Sequence, residues 1–387
     1  MKQDKVSIVI APDAFKESLT ADEAATAIAE GFKRVLPEAD YHLAAVSDGG
    51  EGLIETMLFA KEGSRIKASA HDPIGRKIES EFGWVDSEQL AIIEIAKVSG
   101  IELISPFDRN PLHTTSFGTG ELILAALDHG AKKILIGLGG SATNDGGVGM
   151  LQALGVQFFD HNGNPLGQGG RALLELAEID LSKLDPRLFN VEVEVACDVK
   201  NPLTGTNGAS AVFGPQKGAT PQMVGMLDRA LGQFADVVKH DMGKEIDNIQ
   251  GAGAAGGMGA ALMGFLDAKL HSGIELVIEH LNLRNHIKSA DLVITGEGQL
   301  DEQTLFGKTP IGVAECAKEY GVPVIGVAGA LGANSEKLLE AGFNAIFSCS
   351  PGVITLDDAL KNGGENLTAL SENIARLIAF NLPKATN

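Results

Sequence analysis

The sequence has few cysteines, no long apolar run and no export signal. Cys197, Cys316 and Cys349 are widely separated, without a Cys-x-x-Cys pair or a nearby histidine at zinc-ligand spacing, so we expect buried, reduced thiols. Apolar stretches end well short of the ~18 residues that a membrane helix needs. The first of them, residues 6–10, has only the length of a strand and predicts no signal peptide. We therefore expect a cytoplasmic protein without a membrane partner.

Positive charge is also scarce. The chain has 31 Lys and Arg against 51 Asp and Glu, which gives a formal net charge of −20. This charge repels nucleic-acid phosphates and anionic lipids, so nucleic acid is not expected as a partner. The length of 387 residues favours two domains. No feature of the sequence fixes the oligomeric state.

Both ends of the chain have the alternating strand and helix pattern of a parallel sheet. Residues 6–10 and 41–46 predict strands around a helix whose start is marked by Thr20 and Glu23, a capping-box pair. The pattern returns with a strand over residues 291–295. In such sheets, ligands bind beyond the carboxyl ends of the strands.

The middle of the chain differs, because it has closely spaced alternating runs and a hairpin signal at Asn162-Gly163. This pattern predicts antiparallel pairing. The predicted fold is therefore α/β with two domains. Residues 1–70 and 285–387 form a doubly wound, flavodoxin- or Rossmann-like parallel-sheet domain, and residues 71–284 form an inserted mixed α/β domain.

Two polar loops follow the first two predicted strands. The loop at residues 11–19 carries a carboxylate and an ammonium group that suit a charged substrate, and the loop at 47–52 combines acids that suit Mg²⁺ with glycines that admit a ligand. The alternative for the first loop is a capped turn with a surface lysine, and for the second it is a tight turn with an acid at the start of the next helix. The candidate residues of these loops are Asp13, Lys16, Ser47, Asp48, Gly49 and Gly50.

The densest cluster of glycine, hydroxyl and amide groups lies at residues 137–147, with the sequence GLGGSATNDGG. Five glycines in eleven residues are costly to order, which favours a ligand over a purely structural loop. Backbone N–H groups in such a loop can hold a phosphate. Its candidate binding residues are Ser141, Thr143 and Asn144.

A fourth set of polar residues begins where the predicted strand VEVEVAC ends, at Asp198. This carboxylate is a candidate general base or metal ligand, and a strand-capping residue is the alternative. Asn201 follows it, and a nearby turn presents Gln216 and Lys217 as binding candidates.

A fifth loop, at residues 295–310, combines Glu297 and Asp301 with Lys308. Two carboxylates and a lysine suit the handling of a magnesium–nucleotide complex. The tripeptide at 307–309 is like the end of a Walker A loop, but Glu302 stands where the first glycine is required. The G-x-G-x-x-G match at residues 251–256 follows a poor strand, which favours close packing or a flexible loop over dinucleotide binding.

Taken in order, seven stretches resemble the bacterial class I glycerate kinases (the glycerate 2-kinase family), and the resemblance runs nearly end to end. They are IAPDAFKESLTADEAATAIAEGF, VSDGGEG, RNPLHTTSFGTGELI, GLGGSATNDGGVGMLQALG, ACDVKNPLTGTNGASAVFGPQKGA, GAGAAGGMGAAL and DLVITGEGQLDEQTLFGKTPIGVA.

The resemblance implies transfer of the ATP γ-phosphoryl group to D-glycerate with Mg²⁺, in a two-domain protein with an interdomain cleft. It also implies that the product is 2-phosphoglycerate, as is common in bacterial relatives. Under this hypothesis, Asp198 orients or deprotonates the hydroxyl, with Lys16 and Asp13 as the other catalytic candidates. Lys16 and Lys217 neutralise negative charge, and Glu297 and Asp301 support the metal. The alternatives are formation of 3-phosphoglycerate, a kinase for another small sugar acid, an NAD-linked dehydrogenase and a non-catalytic organic-acid sensor.

Overall fold

A computed structural model describes residues 5–47, 49–50, 52–306 and 308–380 of the chain. The strands are β1 (Ser7–Ile10), β2 (Asp40–Leu43), β3 (Ser64–His71), β4 (Lys77–Val85), β5 (Leu90–Glu94), β6 (Lys133–Gly137), β7 (Gln157–Asp160), β8 (Leu176–Asp180), β9 (Glu192–Ala196), β10 (Lys269–His271), β11 (Leu292–Leu300), β12 (Val324–Leu331) and β13 (Ala345–Ser348).

The α-helices are α1 (Ala21–Lys33), α2 (Leu53–Lys61), α3 (Ala96–Ser99), α4 (Phe117–His129), α5 (Val148–Ala153), α6 (Ala209–Phe213), α7 (Pro221–Met242), α8 (Met258–Leu266), α9 (Gly273–His280), α10 (Leu283–Lys288), α11 (Thr309–Glu319), α12 (Lys337–Ala341), α13 (Leu356–Lys361) and α14 (Gly363–Ala379). Short 3-10 turns join several of these elements. Among the described residues, no helix has the length and apolar character that a membrane crossing requires.

The elements group into two compact units. Unit 1 comprises the described residues of Met1–Asp48, Glu55–Lys61 and Ile274–Asn387, and unit 2 those of Gly49–Ile54 and Glu62–Gly273.

Unit 1 contains a five-stranded sheet in the order β13-β12-β11-β1-β2, and every pair in it is parallel. Ile8 and Ile10 of β1 belong to a buried cluster with α1 and α14, whereas α11 packs against β11 and β12. Because successive side chains of a strand point to opposite faces, both faces of this sheet are covered by helices. The doubly wound domain is therefore confirmed.

Helix α1 shows how the local sequence fixes an element of unit 1. The backbone N–H of Glu23 donates to Thr20 Oγ1 at 3.4 Å, and the backbone N–H of Thr20 donates to Glu23 Oε2 at 3.0 Å, so the predicted capping box is confirmed. Gly31 lets α14 approach, since a Cβ at this position would lie 2.3 Å from the backbone oxygen of Thr368. The two helices pack closely as a result.

Unit 2 contains a six-stranded mixed sheet in the order β10-β9-β6-β5-β4-β3. The β3-β4 and β4-β5 pairs are antiparallel, and the β5-β6, β6-β9 and β9-β10 pairs are parallel. β7 and β8 form a separate antiparallel pair, and directly after β7 the chain makes a tight turn in which Asp160 Oδ1 accepts from the backbone N–H groups of Asn162 and Asn164. The mixed α/β character of the inserted domain is confirmed.

The boundaries of the two units differ from the seams expected near residues 70 and 285. Strand β3 falls in unit 2, because it pairs with β4 from Ser64 opposite Trp84 to His71 opposite Lys77. At the other seam, unit 1 resumes at Ile274, within α9. We propose that the domain seams lie at these unit boundaries.

The three cysteines are free thiols, with Cys316 and Cys349 buried and Cys197 half-buried. Burial raises the pKa of each, that of Cys197 to about 11. Since the thiolate is the reactive form, these side chains are poor nucleophiles.

Candidate active site

The glycine-rich loop of residues 137–147 connects β6 to α5 within unit 2. Ser141, Thr143 and Asn144 are all buried there, at 9% exposed or less. Gly49 and Gly50 lie against the start of the loop, since a Cβ on Gly137 would come within 2.4 Å of the backbone oxygen of Gly49. The structure therefore brings these two predicted segments together.

Lys217 lies under this loop and not on an exposed turn. The residue is only 2% exposed, and its Nζ donates to Ser141 Oγ and to the backbone oxygen of Thr143, both at 2.7 Å. Burial lowers the pKa of Lys217 to about 7, and the charge of Asp145 opposes the shift. Its neighbour Gln216 is exposed and is not part of this contact set.

Asp145 anchors the same loop, although it was not among the candidate binding residues. Its Oδ2 accepts from the backbone N–H and the hydroxyl of Ser116, both at 2.8 Å, and from the backbone N–H of Gly149 at 3.2 Å. Its Oδ1 accepts from the backbone N–H of Gly147 at 3.2 Å. Burial raises the pKa of this carboxyl, whereas the hydrogen bonds act in the opposite direction. The bonds to Ser116 tie the loop to the segment preceding α4.

Two polar atoms of the loop are buried without a hydrogen bond to any described residue. They are Thr143 Oγ1 and Asn144 Oδ1, while Asn144 Nδ2 donates to Ser210 Oγ at 3.0 Å. Buried polar atoms are usually paired with protein, water or a ligand. The loop therefore retains hydrogen-bonding capacity toward a ligand or water.

The glycine run at residues 251–257 supports the loop from behind. Gly256 has φ +69°, and a Cβ on it would lie 2.0 Å from the backbone oxygen of Thr143. The backbone N–H of Gly146 donates to the backbone oxygen of Gly256 at 3.0 Å. The G-x-G-x-x-G match is thus a close backbone packing surface, as favoured from the sequence, and no strand immediately precedes it.

Asp198 follows the carboxyl end of β9 and is exposed. Its Oδ1 accepts from the backbone N–H of Gly273 at 3.0 Å. Gly49 adjoins the same strand end, because a Cβ on it would lie 2.4 Å from Ala196 Cβ and 2.7 Å from Gly273 Cα. Asp198 thus shares the carboxyl edge of the unit 2 sheet with the 49–50 segment.

Asn201 has a structural part in this neighbourhood. Its Nδ2 donates to the backbone oxygen of Asn207 at 2.7 Å, and its backbone oxygen accepts from Gly253 at 3.0 Å. The amide therefore closes the loop after β9. Its predicted substrate contact stays a prediction.

The loop after β1 runs beside the later part of β11 in unit 1. The backbone N–H of Asp13 donates to the backbone oxygen of Gly296 at 2.8 Å, and a Cβ on Gly298 would lie 3.4 Å from the backbone nitrogen of Lys16. Lys16 is exposed, whereas Ser47, after β2, is 3% exposed. Asp48, the acid predicted next to Ser47, lies outside the described residues.

Glu297 is the centre of a small polar cluster at the end of β11. Its Oε1 accepts from Thr304 Oγ1 at 2.8 Å, and its Oε2 accepts from Lys308 Nζ at 3.2 Å. Burial raises the pKa of Glu297, and both donors oppose the shift. Asp301 accepts from Gln299 Nε2 at 2.7 Å, and hydrogen bonds lower its pKa. The structure therefore brings Glu297, Asp301 and Lys308 together, with Lys308 ion-paired.

The donor set at the end of β11 suits magnesium. Mg²⁺ is usually held by one or two carboxylates together with waters and substrate phosphates. Glu297 and Asp301 supply two carboxylates, and the negative charge of Asp301 raises the pKa of Glu297. In the described part of the chain, no three His, Cys, Asp or Glu side chains form a ready-made metal cage. The residue types therefore fit an ion that is shared with a phosphate ligand.

Comparison with known proteins places this geometry in a family. The glycerate kinase family model matches residues 8–379. A glycerate kinase of Halalkalibacterium halodurans is 50% identical over 375 residues, covering 97% of this chain and 99% of that protein. The glycerate 2-kinase of Escherichia coli K12 is 50% identical over 380 residues, covering 98% and 100%.

A solved structure agrees with these sequence matches. The crystal structure of a Salmonella typhimurium LT2 protein, assigned as glycerate kinase 2, matches with a TM-score of 0.90 at 50% identity. The match covers 97% of this chain and 99% of that one. The chain therefore belongs to the glycerate kinase family and is a kinase.

Proposed function

We propose that this enzyme transfers the γ-phosphoryl group of ATP to D-glycerate and forms 2-phosphoglycerate and ADP. The observation that carries the proposal is the 50% identity with the E. coli protein named glycerate 2-kinase, which extends over 98% of this chain and all of that protein. The loop geometry of unit 2 supports a phosphate ligand, and the carboxylates of unit 1 suit a metal-bound nucleotide.

The loop at residues 137–147 is held on several sides by contacts with the rest of unit 2. Lys217 and Asp145 fix it from within unit 2, and the glycine run at 251–257 packs against its backbone. Phosphoryl transfer depends mainly on positioning and on electrostatic stabilisation. A preformed loop of this kind supplies fixed donors and avoids an ordering cost during the reaction.

Asp198 is the proposed group that orients or deprotonates the attacking hydroxyl. It is exposed at the carboxyl edge of the sheet, and its hydrogen bond to Gly273 fixes one oxygen. A carboxylate in this position can accept a proton from a bound alcohol. Lys16 and Asp13, at the corresponding edge of unit 1, remain the other catalytic candidates, and the exposed ammonium of Lys16 suits neutralisation of substrate charge.

Glu297 and Asp301 would hold Mg²⁺, with the Thr304 hydroxyl bonded to Glu297. When bound, the ion neutralises phosphate charge and orients the nucleotide. Lys308 is already paired with Glu297, so it contributes less positive charge to a nucleotide than an unpaired lysine would.

The reaction is tested by following ADP release from ATP with Mg²⁺ and D-glycerate. Adding enolase alone then identifies the product, because enolase acts on 2-phosphoglycerate but not on 3-phosphoglycerate. We expect an enolase signal without added mutase. A signal that needs mutase would replace the proposal with 3-phosphoglycerate formation, and release of ADP only with another sugar acid would replace the substrate. No ADP release would contradict the proposal.

Glu297→Gln tests the proposed magnesium site of Glu297 and Asp301. The change keeps the shape of the side chain but removes its charge, so we expect the Mg²⁺ concentration for half-maximal activity to rise at least about tenfold. Glu302→Gln is the matched control, because Glu302 lies five residues away and pairs with Lys337. An unchanged Mg²⁺ requirement in Glu297→Gln, or an equal rise in the control, would exclude Glu297 from the metal site.

A further inference from the structure

The ammonium group of Lys217 is enclosed by partners that carry no net charge. Nζ donates to a hydroxyl, Ser141 Oγ, and to a carbonyl oxygen of Thr143. A protonated lysine has three N–H donors, whereas the neutral amine has two. The two hydrogen bonds to described residues therefore satisfy the neutral amine and leave one donor of the ammonium form.

The charged groups around Lys217 do not fix its protonation state by direct pairing. The charge of Asp145 raises the pKa of Lys217. However, Asp145 accepts its hydrogen bonds from Ser116, Gly147 and Gly149 and not from Lys217. Helix α6, which packs beside the 215–217 turn, has the sequence ASAVF and no titratable side chain.

The segment that contains Arg109 packs against the other side of the turn. A Cβ on Gly218 would lie 2.5 Å from the backbone oxygen of Arg109 and 3.0 Å from its Cβ. Arg109 Nε is itself buried without a hydrogen bond to a described residue. Burial without a bonded carboxylate explains why the pKa of Lys217 falls to about 7.

An anion bound at this loop would raise the pKa of Lys217. Thr143 Oγ1 is buried and unpartnered among the described residues, and it belongs to the residue whose carbonyl oxygen accepts from Lys217. A hydroxyl and a third ammonium donor are together the groups that a phosphate or carboxylate oxygen accepts from. A negative charge within a few Å strongly favours the protonated form of a buried amine.

We propose that Lys217 takes up a proton when an anionic oxygen group of a substrate binds at the 137–147 loop, so that binding switches on a positive charge beneath that group. The anion is a nucleotide phosphate or the glycerate carboxylate. This inference rests on the proposed function, since it takes its ligands from that reaction. The proton comes from solvent, and no covalent bond changes.

Calorimetric titration in two buffers tests the uptake. At pH 8 the unliganded amine is mostly neutral and the liganded one mostly charged, so we expect uptake of about 0.5 to 1 proton per site. The observed binding enthalpy in HEPES and in Tris differs by that number times the difference in buffer ionisation enthalpy. Separate titrations with ADP and with D-glycerate identify the anion: uptake with ADP assigns a phosphate, and uptake with glycerate assigns the carboxylate.

Lys217→Met removes the titrating group and should abolish the uptake. Lys269→Met is the control, because Lys269 is an exposed lysine of unit 2 whose pairing with Glu192 raises its pKa and keeps it charged. Uptake should persist in this control. Equal enthalpies in both buffers for the wild-type protein, or unchanged uptake in Lys217→Met, would overturn the proposal.

The pH profile of kcat/KM gives a second readout that needs only the wild-type enzyme. The charged form falls as pH rises above the pKa of the unliganded lysine, about 7. We therefore expect kcat/KM to decrease above that pH, by up to about tenfold per unit. Turnover of D-glycerate with a flat profile from pH 6.5 to 9 would overturn the proton switch and leave the proposed function intact, whereas absent turnover would contradict that function instead.

Discussion

Asp198→Asn is expected to lower kcat/KM for D-glycerate at least about 100-fold without unfolding the protein, because general acid–base groups contribute on the order of 10² to 10⁴ in rate. The asparagine oxygen can still accept from the backbone N–H of Gly273, which Asp198 Oδ1 does at 3.0 Å. The substitution therefore removes charge and basicity while the local fold is kept. Steady-state ADP release measures the loss, and a thermal melt by circular dichroism checks the fold.

Asp180→Asn is the matched control for this experiment. Asp180 is also an aspartate of unit 2 at the end of a strand, β8, and its Oδ1 accepts from the backbone N–H of Ser182 at 2.8 Å. It should keep full activity. Wild-type kcat/KM in a folded Asp198→Asn protein would remove Asp198 from the mechanism.

Gly256→Ala is expected to lower the free energy of unfolding by about 3 kcal/mol or more. A left-handed backbone alone costs a non-glycine residue roughly 1 kcal/mol, and overpacking of a dense interior adds about 1–3 kcal/mol. The added Cβ would lie 2.0 Å from the backbone oxygen of Thr143, so the 137–147 loop has to move. Urea denaturation measures the change, and we expect activity to fall with it.

Gly243→Ala separates backbone strain from the clash. Gly243 ends α7 with φ +68°, nearly the same as the +69° of Gly256, but its Cβ would meet nothing within 4 Å. We expect it to cost only about 1 kcal/mol. Equal costs at the two positions would show that the 251–257 run does not support the loop.

The elements of unit 1 could be predicted because their signals are local. A short apolar strand and a capping box at Thr20 and Glu23 each depend on neighbouring residues. The predicted strand over 6–10 and observed β1 nearly coincide. The compact units place β3 in unit 2, not in the first domain as expected, because its alternation predicts a strand but does not say to which sheet the strand belongs.

The candidate site was less predictable because its decisive contacts are distant in sequence. Lys217 follows Gly-Pro-Gln, a pattern typical of an exposed turn, yet it reaches Ser141, which is 76 positions away. Asp145 was visible as a polar loop residue, but its partner Ser116 is 29 positions away. Composition and spacing predict that a loop binds something, and tertiary packing decides which of its side chains face inward.

The placement of β1 has a consequence for how the protein is made. In its sheet, β1 lies between β2 and β11, and β11 begins only at Leu292. Residues 62–273 of unit 2 are synthesised as one continuous stretch. In contrast, β1 cannot pair with β11 until β11 has been synthesised, more than 280 residues later. Because domains generally fold as units during synthesis, unit 2 completes its sheet first, and the earliest strand to be translated is among the last to be fully paired.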